Sequence, residues 1–378
     1  MKPKNYLQKV VAILFLFLIC QRGLAGELDH KQFVAKEIAK LMRQYQIPGA
    51  AVAIIDGGKP YTYVFGIASE TNNTPVTNNT IFEVGSITKL FTALLCVAAQ
   101  NQPGNPLIKY YPIFSNNPYL QKITLEELLT YTSKLPFELP TNIKTMSQMQ
   151  SYLLKWRPTN VLDLQWQYSN VGIGLLGIAL QNKDHKKIDQ LYRKYILEQL
   201  DMKHTGIEIN KKFWPYFAQG HKEDGNITPY SFDSHSFYSS AGGMKSNIQD
   251  MSRFLTIAAG LQNTPLNLKQ AMENTQTPRL EVNGSQQGLV WQIHSLIDHA
   301  LLNEPEKMNL GPLPAKWLPK NQQVFDPNKL IDKTGATNGF RAYIAVIPGK
   351  QRGIVILLNK YIPNGAIVNT GRRIVLWN

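Results

Sequence analysis

Strand patterns at both ends of the chain, with helix patterns between them, most constrain how it can fold. Residues 50–55 and 61–68 read as the two strands of a hairpin around the turn Asp56-Gly57-Gly58. Three segments near the C-terminus are also strand-like: 330–332, 340–347 and 353–359. We therefore predict an α/β fold of the α+β type, with one antiparallel sheet built from both chain ends, flanked by helices, and an inserted all-helical lobe.

Helical periodicity is concentrated in the middle of the chain, where apolar residues recur three and four positions apart. The segments with this pattern, including one at each end, are 28–45, 125–131, 172–180, 188–200, 248–259 and 370–378. No proline- or serine-rich linker divides the chain. We expect residues 26–378 to form a single domain, with a sheet lobe of about 26–80 and 276–378 and a helical lobe of about 81–275.

The first 25 residues have the features of a cleavable secretory signal. Three lysines precede an apolar stretch at 10–19, and small residues follow at 23–25. Ten apolar residues are too few to span a bilayer, so we expect no stable membrane anchor; the alternative is a buried N-terminal helix. Residues 1–25 are then removed on export to the periplasm. Cys20 is lost with them, which leaves Cys96 as the only cysteine and no internal disulfide.

The formal net charge of +14 requires nucleic acid to be considered as a partner. The basic residues are scattered, however, and the longest basic runs are pairs such as Lys186-Lys187 and Lys211-Lys212. Binding along a phosphate backbone needs clustered charge. The sequence therefore predicts a basic surface and no nucleic-acid partner.

The pair Ser86-x-x-Lys89 is the strongest candidate for chemistry, because the nearly apolar stretch 90–99 follows it at once. Such a stretch predicts a helix buried on all sides, with Ser86 at its start and Lys89 one turn on, on the same face. Unpaired N–H groups and the positive end of the helix dipole suit a developing oxyanion there. Burial lowers the pKa of a lysine, so its neutral amine becomes available as a base. An N-capping serine followed by an ordinary lysine is the alternative.

Two further triplets complete a possible site, Tyr168-Ser169-Asn170 and Lys333-Thr334-Gly335. A tyrosine acts as a general base only where nearby cations hold its phenolate, and Lys89 with Lys333 would supply them. A lysine–threonine pair on a strand edge suits a substrate carboxylate. Gly335 would let a ligand approach the strand backbone closely.

The order SxxK, YxN and KTG resembles the serine β-lactamases and penicillin-binding proteins. A tyrosine at the head of the second motif is similar to the class C, or AmpC-type, β-lactamases and their carboxypeptidase and esterase relatives. The similarity runs through nearly the whole chain after residue 25, in the segments 47–52, 123–133, 165–170, 172–177, 333–340 and 362–364. It implies a single β-lactamase-like catalytic domain of the β-lactamase/transpeptidase fold.

The resemblance also implies roles for individual residues. Ser86 would be the nucleophile, Lys89 its proton acceptor, and Tyr168 the residue that helps to protonate the leaving nitrogen and to orient the deacylating water. Asn170 would hydrogen-bond the substrate's acylamino side chain. The N–H groups of Ser86 and Ala336 would form the oxyanion hole. The carboxylate would face Lys333, Thr334 and Asn364.

Two positions depart from the class C pattern and affect the expected substrate range. Glu138 stands where class C enzymes usually have glutamine, within the substrate-binding region. Gly242 stands where they usually have tyrosine. In this respect the segment Ala241-Gly242-Gly243 is more similar to the penicillin-binding relatives.

Three functions remain open at this point. The first is a serine β-lactamase that hydrolyses the β-lactam amide of cephalosporins and penicillins through an acyl-enzyme on Ser86. The second is a D-alanyl-D-alanine carboxypeptidase or esterase of the same fold, and the third is an inactive penicillin-binding or sensor protein. In the first, the partner is a small-molecule β-lactam, and we expect a monomer.

No cofactor is expected from the remaining motifs. The glycines at 172, 174 and 177 match a dinucleotide fingerprint, but they follow a polar loop rather than a buried strand, and packing of a helix explains them better. The seven histidines form no zinc motif, so we expect no metal. Ser86 also lacks the G-x-S-x-G elbow of α/β-hydrolases.

Overall fold

The structure is a computed structural model that describes residues 30–160, 163–228, 236–261 and 264–377. The side chains of His299 and Ala300 are not described. The predicted signal segment, residues 1–25, lies outside the described residues. The chain divides into two units between Gln46 and Ile47. The described part of the first unit contains helix α1, residues 30–45, which agrees with the helix predicted for 28–45.

The described residues contain fifteen strands. They are β1 (Gly49–Asp56), β2 (Lys59–Ser69), β3 (Thr74–Pro75), β4 (Ile81–Glu83), β5 (Gln165–Trp166), β6 (Gly220–His221), β7 (Ile227–Thr228), β8 (Lys245–Asn247), β9 (Leu280–Val282), β10 (Ser285–Gln287), β11 (Gln292–His294), β12 (Leu313–Trp317), β13 (Leu330–Ala336), β14 (Arg341–Ile347) and β15 (Arg352–Leu358). Eleven of them form one sheet in the order β3-β2-β1-β15-β14-β13-β11-β10-β9-β12-β5.

Both ends of the second unit meet in the centre of this sheet. β1 pairs antiparallel with β15, so that Ala50 lies opposite Leu358, and β14 and β13 follow on the other side of β15. Residues of β14 and β15 are buried almost throughout, because both faces of these central strands are covered. This confirms the predicted fold class, in which an antiparallel sheet built from both chain ends is flanked by helices.

The helices of the second unit are α2 (Thr88–Ala98), α3 (Leu125–Leu129), α4 (Met146–Lys155), α5 (Asn170–Asp184), α6 (Ile188–Tyr192), α7 (Ser239–Gly242), α8 (Ile248–Ala258), α9 (Leu266–Gln276) and α10 (Asn364–Leu376). The helix predicted for 188–200 is shorter, since α6 passes into a π-helical turn at Arg193–Leu197. The C-terminal helix begins six residues earlier than predicted. Asn364 and Gly365 disfavour helix interiors and read as a turn, but they form the first turn of α10 directly after Pro363.

The lobe at 81–275 is not entirely helical. Besides α2 to α9 it contains five short strands, of which β4 and β8 pair with each other and β5 extends the edge of the large sheet. Such short strands give too few residues for a visible alternation. The β4–β8 pair matters for the site, because β4 ends three residues before Ser86.

Close packing explains two of the three glycines that resemble a dinucleotide motif. All three lie on α5, where a Cβ on Gly174 would come within 2.9 Å of the Phe237 ring and one on Gly177 within 2.2 Å of Ser240 Oγ. None of the described helices combines the length and apolar character that a membrane crossing requires.

Candidate active site

Ser86 lies in a 3-10 turn, Gly85–Ile87, that leads directly into α2. Two glycines allow strand β13 to approach this turn. Gly85 has a φ of +51°, and a Cβ on it would lie 2.5 Å from the backbone nitrogen of Ala336. A Cβ on Gly335 would lie 2.0 Å from the carbonyl oxygen of Val84. Gly335 therefore makes room for the backbone preceding Ser86, which differs from the predicted approach of a ligand.

Lys89 is fully buried on α2, and its Nζ lies 2.9 Å from Ser86 Oγ. Its ammonium also donates to the carbonyl oxygen of Ala241, at 2.7 Å. Burial, assisted by the charge on Lys333, lowers the pKa of Lys89 well below its ordinary value, although Glu138 acts in the opposite direction. A neutral amine is therefore accessible beside the serine hydroxyl.

Tyr168 lies between the two lysines. The Nζ atoms of Lys89 and Lys333 are each 4.9 Å from the centroid of its ring. Burial nevertheless raises the pKa of Tyr168, and the hydroxyls of Ser86 and Tyr131 and the charge on Arg341 offset this only in part. The expected cations are present, but the resting tyrosine is a neutral phenol rather than a phenolate. Its hydroxyl has no hydrogen-bond partner among the described residues.

Lys333 is buried on β13 beside an ionised carboxylate. Burial alone would raise the pKa of Asp332, but the charge of Arg372 and the hydrogen bonds to His294 and Tyr343 hold it below its ordinary value. Arg372 Nη2 forms an ion pair of 2.8 Å with Asp332 Oδ2, and the Tyr343 hydroxyl donates to the same oxygen at 2.7 Å. Burial lowers the pKa of Lys333 to about 8, while Asp332 opposes that effect. Lys333 therefore keeps most of its charge at neutral pH.

A cavity of about 660 Å³ opens over Ser86. Among the predicted site residues, those that line it are Ser86, Glu138, Tyr168, Asn170, Thr334, Ala336 and Asn364. Lys89, Lys333 and Gly335 lie behind this lining. Asn170 Nδ2 is 3.5 Å from Glu138 Oε1, and Gly242 also faces the cavity. The structure therefore places all of the predicted site residues at or directly behind one cavity.

Sequence reasoning missed three groups at this site: Tyr131, the carbonyl of Ala241, and Arg341. The Tyr131 ring centroid is 4.7 Å from that of Tyr168. Arg341 lines the cavity from β14. A signal existed for Arg341, because it is the single charged residue in the apolar segment 340–347. No local pattern could have identified Tyr131 or the Ala241 carbonyl.

Within the described ranges, no three histidine, cysteine, aspartate or glutamate side chains are grouped so that they could hold a metal ion. No histidine lines the described part of the cavity over Ser86 either. The base nearest to the serine hydroxyl is the amine of Lys89. A serine whose proton passes to a lysine is one of the recurring solutions for acyl transfer. Fold and site together define a serine hydrolase.

Comparison with known proteins identifies the family. The family model described as beta-lactamase matches residues 34–376. A beta-lactamase from Providencia stuartii is 32% identical over 340 residues, which cover 88% of each chain. One from Pseudomonas fluorescens is 30% identical over 358 residues, or 92% of this chain and 98% of the relative. The chain belongs to the beta-lactamase family.

Solved structures place it more narrowly. A beta-lactamase/D-alanine carboxypeptidase from Pseudomonas syringae superposes with a TM-score of 0.86 at 28% identity and covers 92% of this chain and 99% of its own. A class C beta-lactamase from Rhodobacter sphaeroides superposes with a TM-score of 0.84 at 26% identity and covers 91% of this chain and 98% of its own. A D-alanine carboxypeptidase AmpC from Burkholderia cenocepacia has a TM-score of 0.83 at 30% identity, and the match covers 92% of this chain and 98% of that protein. These similarities confirm the resemblance to AmpC-type serine enzymes.

Proposed function

We propose that this protein is a class C serine β-lactamase that hydrolyses the cyclic amide of penicillins and cephalosporins. The observation that carries the proposal is the 2.9 Å contact between Lys89 Nζ and Ser86 Oγ at the floor of the cavity. The lowered pKa of Lys89 makes this contact a base–nucleophile pair rather than a structural hydrogen bond.

In the proposed acylation, the neutral amine of Lys89 takes the proton of Ser86 as Oγ attacks the β-lactam carbonyl carbon. The backbone N–H groups of Ser86 and Ala336 would receive the developing oxyanion. The carbon–nitrogen bond then breaks, and the leaving nitrogen takes a proton from the neutral phenol of Tyr168. Lys89 passes the proton taken from serine to Tyr168, so the nitrogen has gained one proton, and Tyr168 and Lys89 are again neutral.

Deacylation uses the same groups in the opposite direction. A water molecule gives a proton to the network of Tyr168 and Lys89 and attacks the ester carbonyl. The ester bond breaks, and Ser86 regains its proton as the product acid leaves. Because its pKa is raised, Tyr168 would transfer protons as a neutral phenol and would not remain a phenolate between steps.

Substrate positioning would involve the lining of the cavity. Asn170, which lines the cavity next to Glu138, would hydrogen-bond the acylamino side chain. Thr334, which lines the cavity, and the charge of Lys333 behind it suit a carboxylate. Asn364 contributes an amide at the start of α10.

Turnover of a chromogenic cephalosporin by purified protein tests the function. We expect multiple turnovers and a short-lived acyl-enzyme detected by mass spectrometry at Ser86. A stoichiometric burst followed by a stable adduct would contradict β-lactamase activity.

A D-alanyl-D-alanine carboxypeptidase is the second candidate, because two of the similar solved structures are named as D-alanine carboxypeptidases. The two functions differ in how fast the acyl-enzyme from a β-lactam is hydrolysed. Release of D-alanine from a D-alanyl-D-alanine peptide, measured beside cephalosporin turnover, distinguishes them.

We further propose that residues 1–25 direct export to the periplasm and are removed, and that the mature chain is a monomer and one functional unit. N-terminal sequencing of the protein from a periplasmic extract and its mass by light scattering test these points.

Glu138 offers a prediction about specificity. Its side chain is exposed and lines the cavity beside Asn170. An ionised carboxylate accepts hydrogen bonds only, whereas a glutamine amide also donates, so Glu138 favours a substrate ammonium over a carbonyl. At an exposed site this preference is about 0.5–1 kcal/mol, or a few-fold in kcat/KM.

The measurement compares kcat/KM for an amine-bearing and an amine-free penicillin in wild type and Glu138→Gln. We expect the substitution to lower the ratio a few-fold. Its effect on the pKa of Lys89 acts on both substrates and cancels in the ratio. An unchanged ratio would show that Glu138 does not interact with the substrate side chain.

The pKa of Lys333 predicts an alkaline limit to activity. Since burial lowers this pKa to about 8, the lysine is charged below that pH and loses its charge as the pH rises through it. We expect kcat/KM for a carboxylate-bearing penicillin to fall above about pH 8. In Lys333→Arg, whose guanidinium stays charged, this alkaline limb of the kcat/KM profile should move to higher pH. An identical limb in a folded Lys333→Arg variant would assign it to another group.

A further inference from the structure

Arg341 is a buried cation without an anionic partner. Its side chain is 6% exposed, and it makes no ion pair with any described carboxylate. Nη2 donates to the Asn364 amide oxygen at 2.7 Å, and the guanidinium carbon lies 5.5 Å from the centroid of the Tyr361 ring. The Nε atom is buried and has no hydrogen-bond partner among the described residues.

Such an arrangement is costly for a folded protein. A buried charge needs a partner, and a buried donor without a hydrogen bond destabilises the fold. Other buried arginines of this protein satisfy the rule: Arg372 pairs with Asp332 and Glu304, and Arg279 pairs with Glu126. Arg341 differs from them because it faces the cavity over Ser86. The missing partner therefore has to enter from the cavity.

The surroundings of Arg341 favour an anion as that partner. Its strand neighbour across the β13–β14 ladder is Ala336, one residue beyond the Lys333-Thr334-Gly335 motif. The charge on Arg341 is close enough to help lower the pKa of the buried Lys333, and an anion between the two cations would relieve this repulsion. Asn364 stands at the N-terminus of the 13-residue helix α10, whose dipole adds positive potential. The exposed Glu306 also lines the cavity but forms no ion pair with Arg341.

We propose that Arg341 is a specificity-determining residue that binds the carboxylate of the substrate, with Asn364 and Tyr361 holding its guanidinium in place. The proposal deepens the proposed function, on which it rests. The Arg341 guanidinium, from β14, would bind the carboxylate together with the residues of the motifs, although no motif contains it. A guanidinium presents parallel N–H donors that match a carboxylate, whereas Lys333 acts as a point charge from behind.

The test uses matched substrates that differ only in the charge that Arg341 would recognise. One pair is a penicillin and its methyl ester, and the other is a D-alanyl-D-alanine peptide and its C-terminal amide. The proteins are wild type, Arg341→Gln, Arg341→Lys and Lys316→Gln. The last removes one positive charge from an exposed position of β12 that does not line the cavity. Thermal unfolding of each variant checks the fold.

We expect Arg341→Gln to reduce kcat/KM for the carboxylate substrate by about 10- to 100-fold, the value of a hydrogen-bonded charge pair. The methyl ester should lose less than about threefold, since it offers no charge to pair. Arg341→Lys should recover part of the preference, and Lys316→Gln should retain all of it. Equal losses for acid and ester, or no loss for either, would overturn the proposal.

The peptide pair separates this proposal from the proposed function. The wild type could prefer the peptide acid over its amide, lose this preference in Arg341→Gln, and yet not turn over penicillin. That result would contradict only β-lactamase activity. Turnover of penicillin with an acid preference that Arg341→Gln leaves intact would contradict only the role of Arg341. A wild type that reacts with neither pair would overturn both.

Discussion

Replacing Ser86 with alanine should abolish both β-lactam turnover and covalent labelling by a penicillin. The Ser86 hydroxyl lies 2.9 Å from Nζ of Lys89, the only described amine in contact with it. It also lies at the start of a buried helix and lines the cavity. Removing a hydroxyl nucleophile of this kind lowers kcat by roughly a millionfold. We expect the residual rate to be indistinguishable from that of buffer.

The fold should tolerate this change. Ser86 is only partly buried, and alanine leaves out a hydroxyl whose one described hydrogen bond is to Lys89. Ser151→Ala, on the exposed side of α4, is the matched control and should keep full activity. Mass spectrometry of the penicillin-treated variants provides the second readout. A Ser86→Ala protein that still becomes labelled on another serine would refute the assignment of the nucleophile.

Lys89 and Tyr168 should show large losses that do not add. Both belong to one proton path, since each is buried beside Ser86 and the Lys89 ammonium lies 4.9 Å from the Tyr168 ring. Proton transfer by a positioned side chain contributes about 10²–10⁴-fold to a rate. We expect Lys89→Ala and Tyr168→Phe each to reduce kcat by an amount in that range. The double variant should be little slower than the slower single one.

Two further variants separate chemistry from packing. Lys89→Met fills the volume that alanine would leave empty, so its loss of activity should match that of Lys89→Ala although its stability is higher. Tyr192→Phe removes a fully buried hydroxyl that hydrogen-bonds Thr92 away from the cavity, at 2.7 Å, and should lower stability while activity is retained. A double variant whose loss equals the product of the two single losses would contradict a shared path.

The raised pKa of Tyr168 changes how this path is described. The motifs predicted two lysines beside Tyr168, and with them a phenolate base. The cations are in place, yet burial raises the pKa of the phenol, and the groups that act against burial are the Ser86 and Tyr131 hydroxyls and the charge on Arg341. Desolvation depends on everything that surrounds the ring, so no motif could have indicated which effect is larger. A neutral phenol is suited to donate to the leaving nitrogen.

Much of the fold followed from local patterns. Strand-like segments bounded by turn residues identified β1, β2, β14 and β15, helical spacing identified α5 and α8, and the nearly continuous apolar stretch 90–99 identified α2. The first turn of α10 was missed, since Asn364 and Gly365 have low helix propensity and only their place after Pro363 starts the helix there. The five short strands at 81–275 were missed because two or three residues carry no period.

The sequence by itself determined the contact between Ser86 and Lys89, because three residues at the start of a helix place two side chains on one face whatever surrounds them. The tertiary structure alone decided the partners that come from distant parts of the chain. Ala241, 152 residues from Lys89, supplies the carbonyl that fixes the amine. Arg341 is held against the cavity by Asn364, 23 residues away on another element. Such distances depend on how whole elements pack, and so do the burial and the pKa of every group between them.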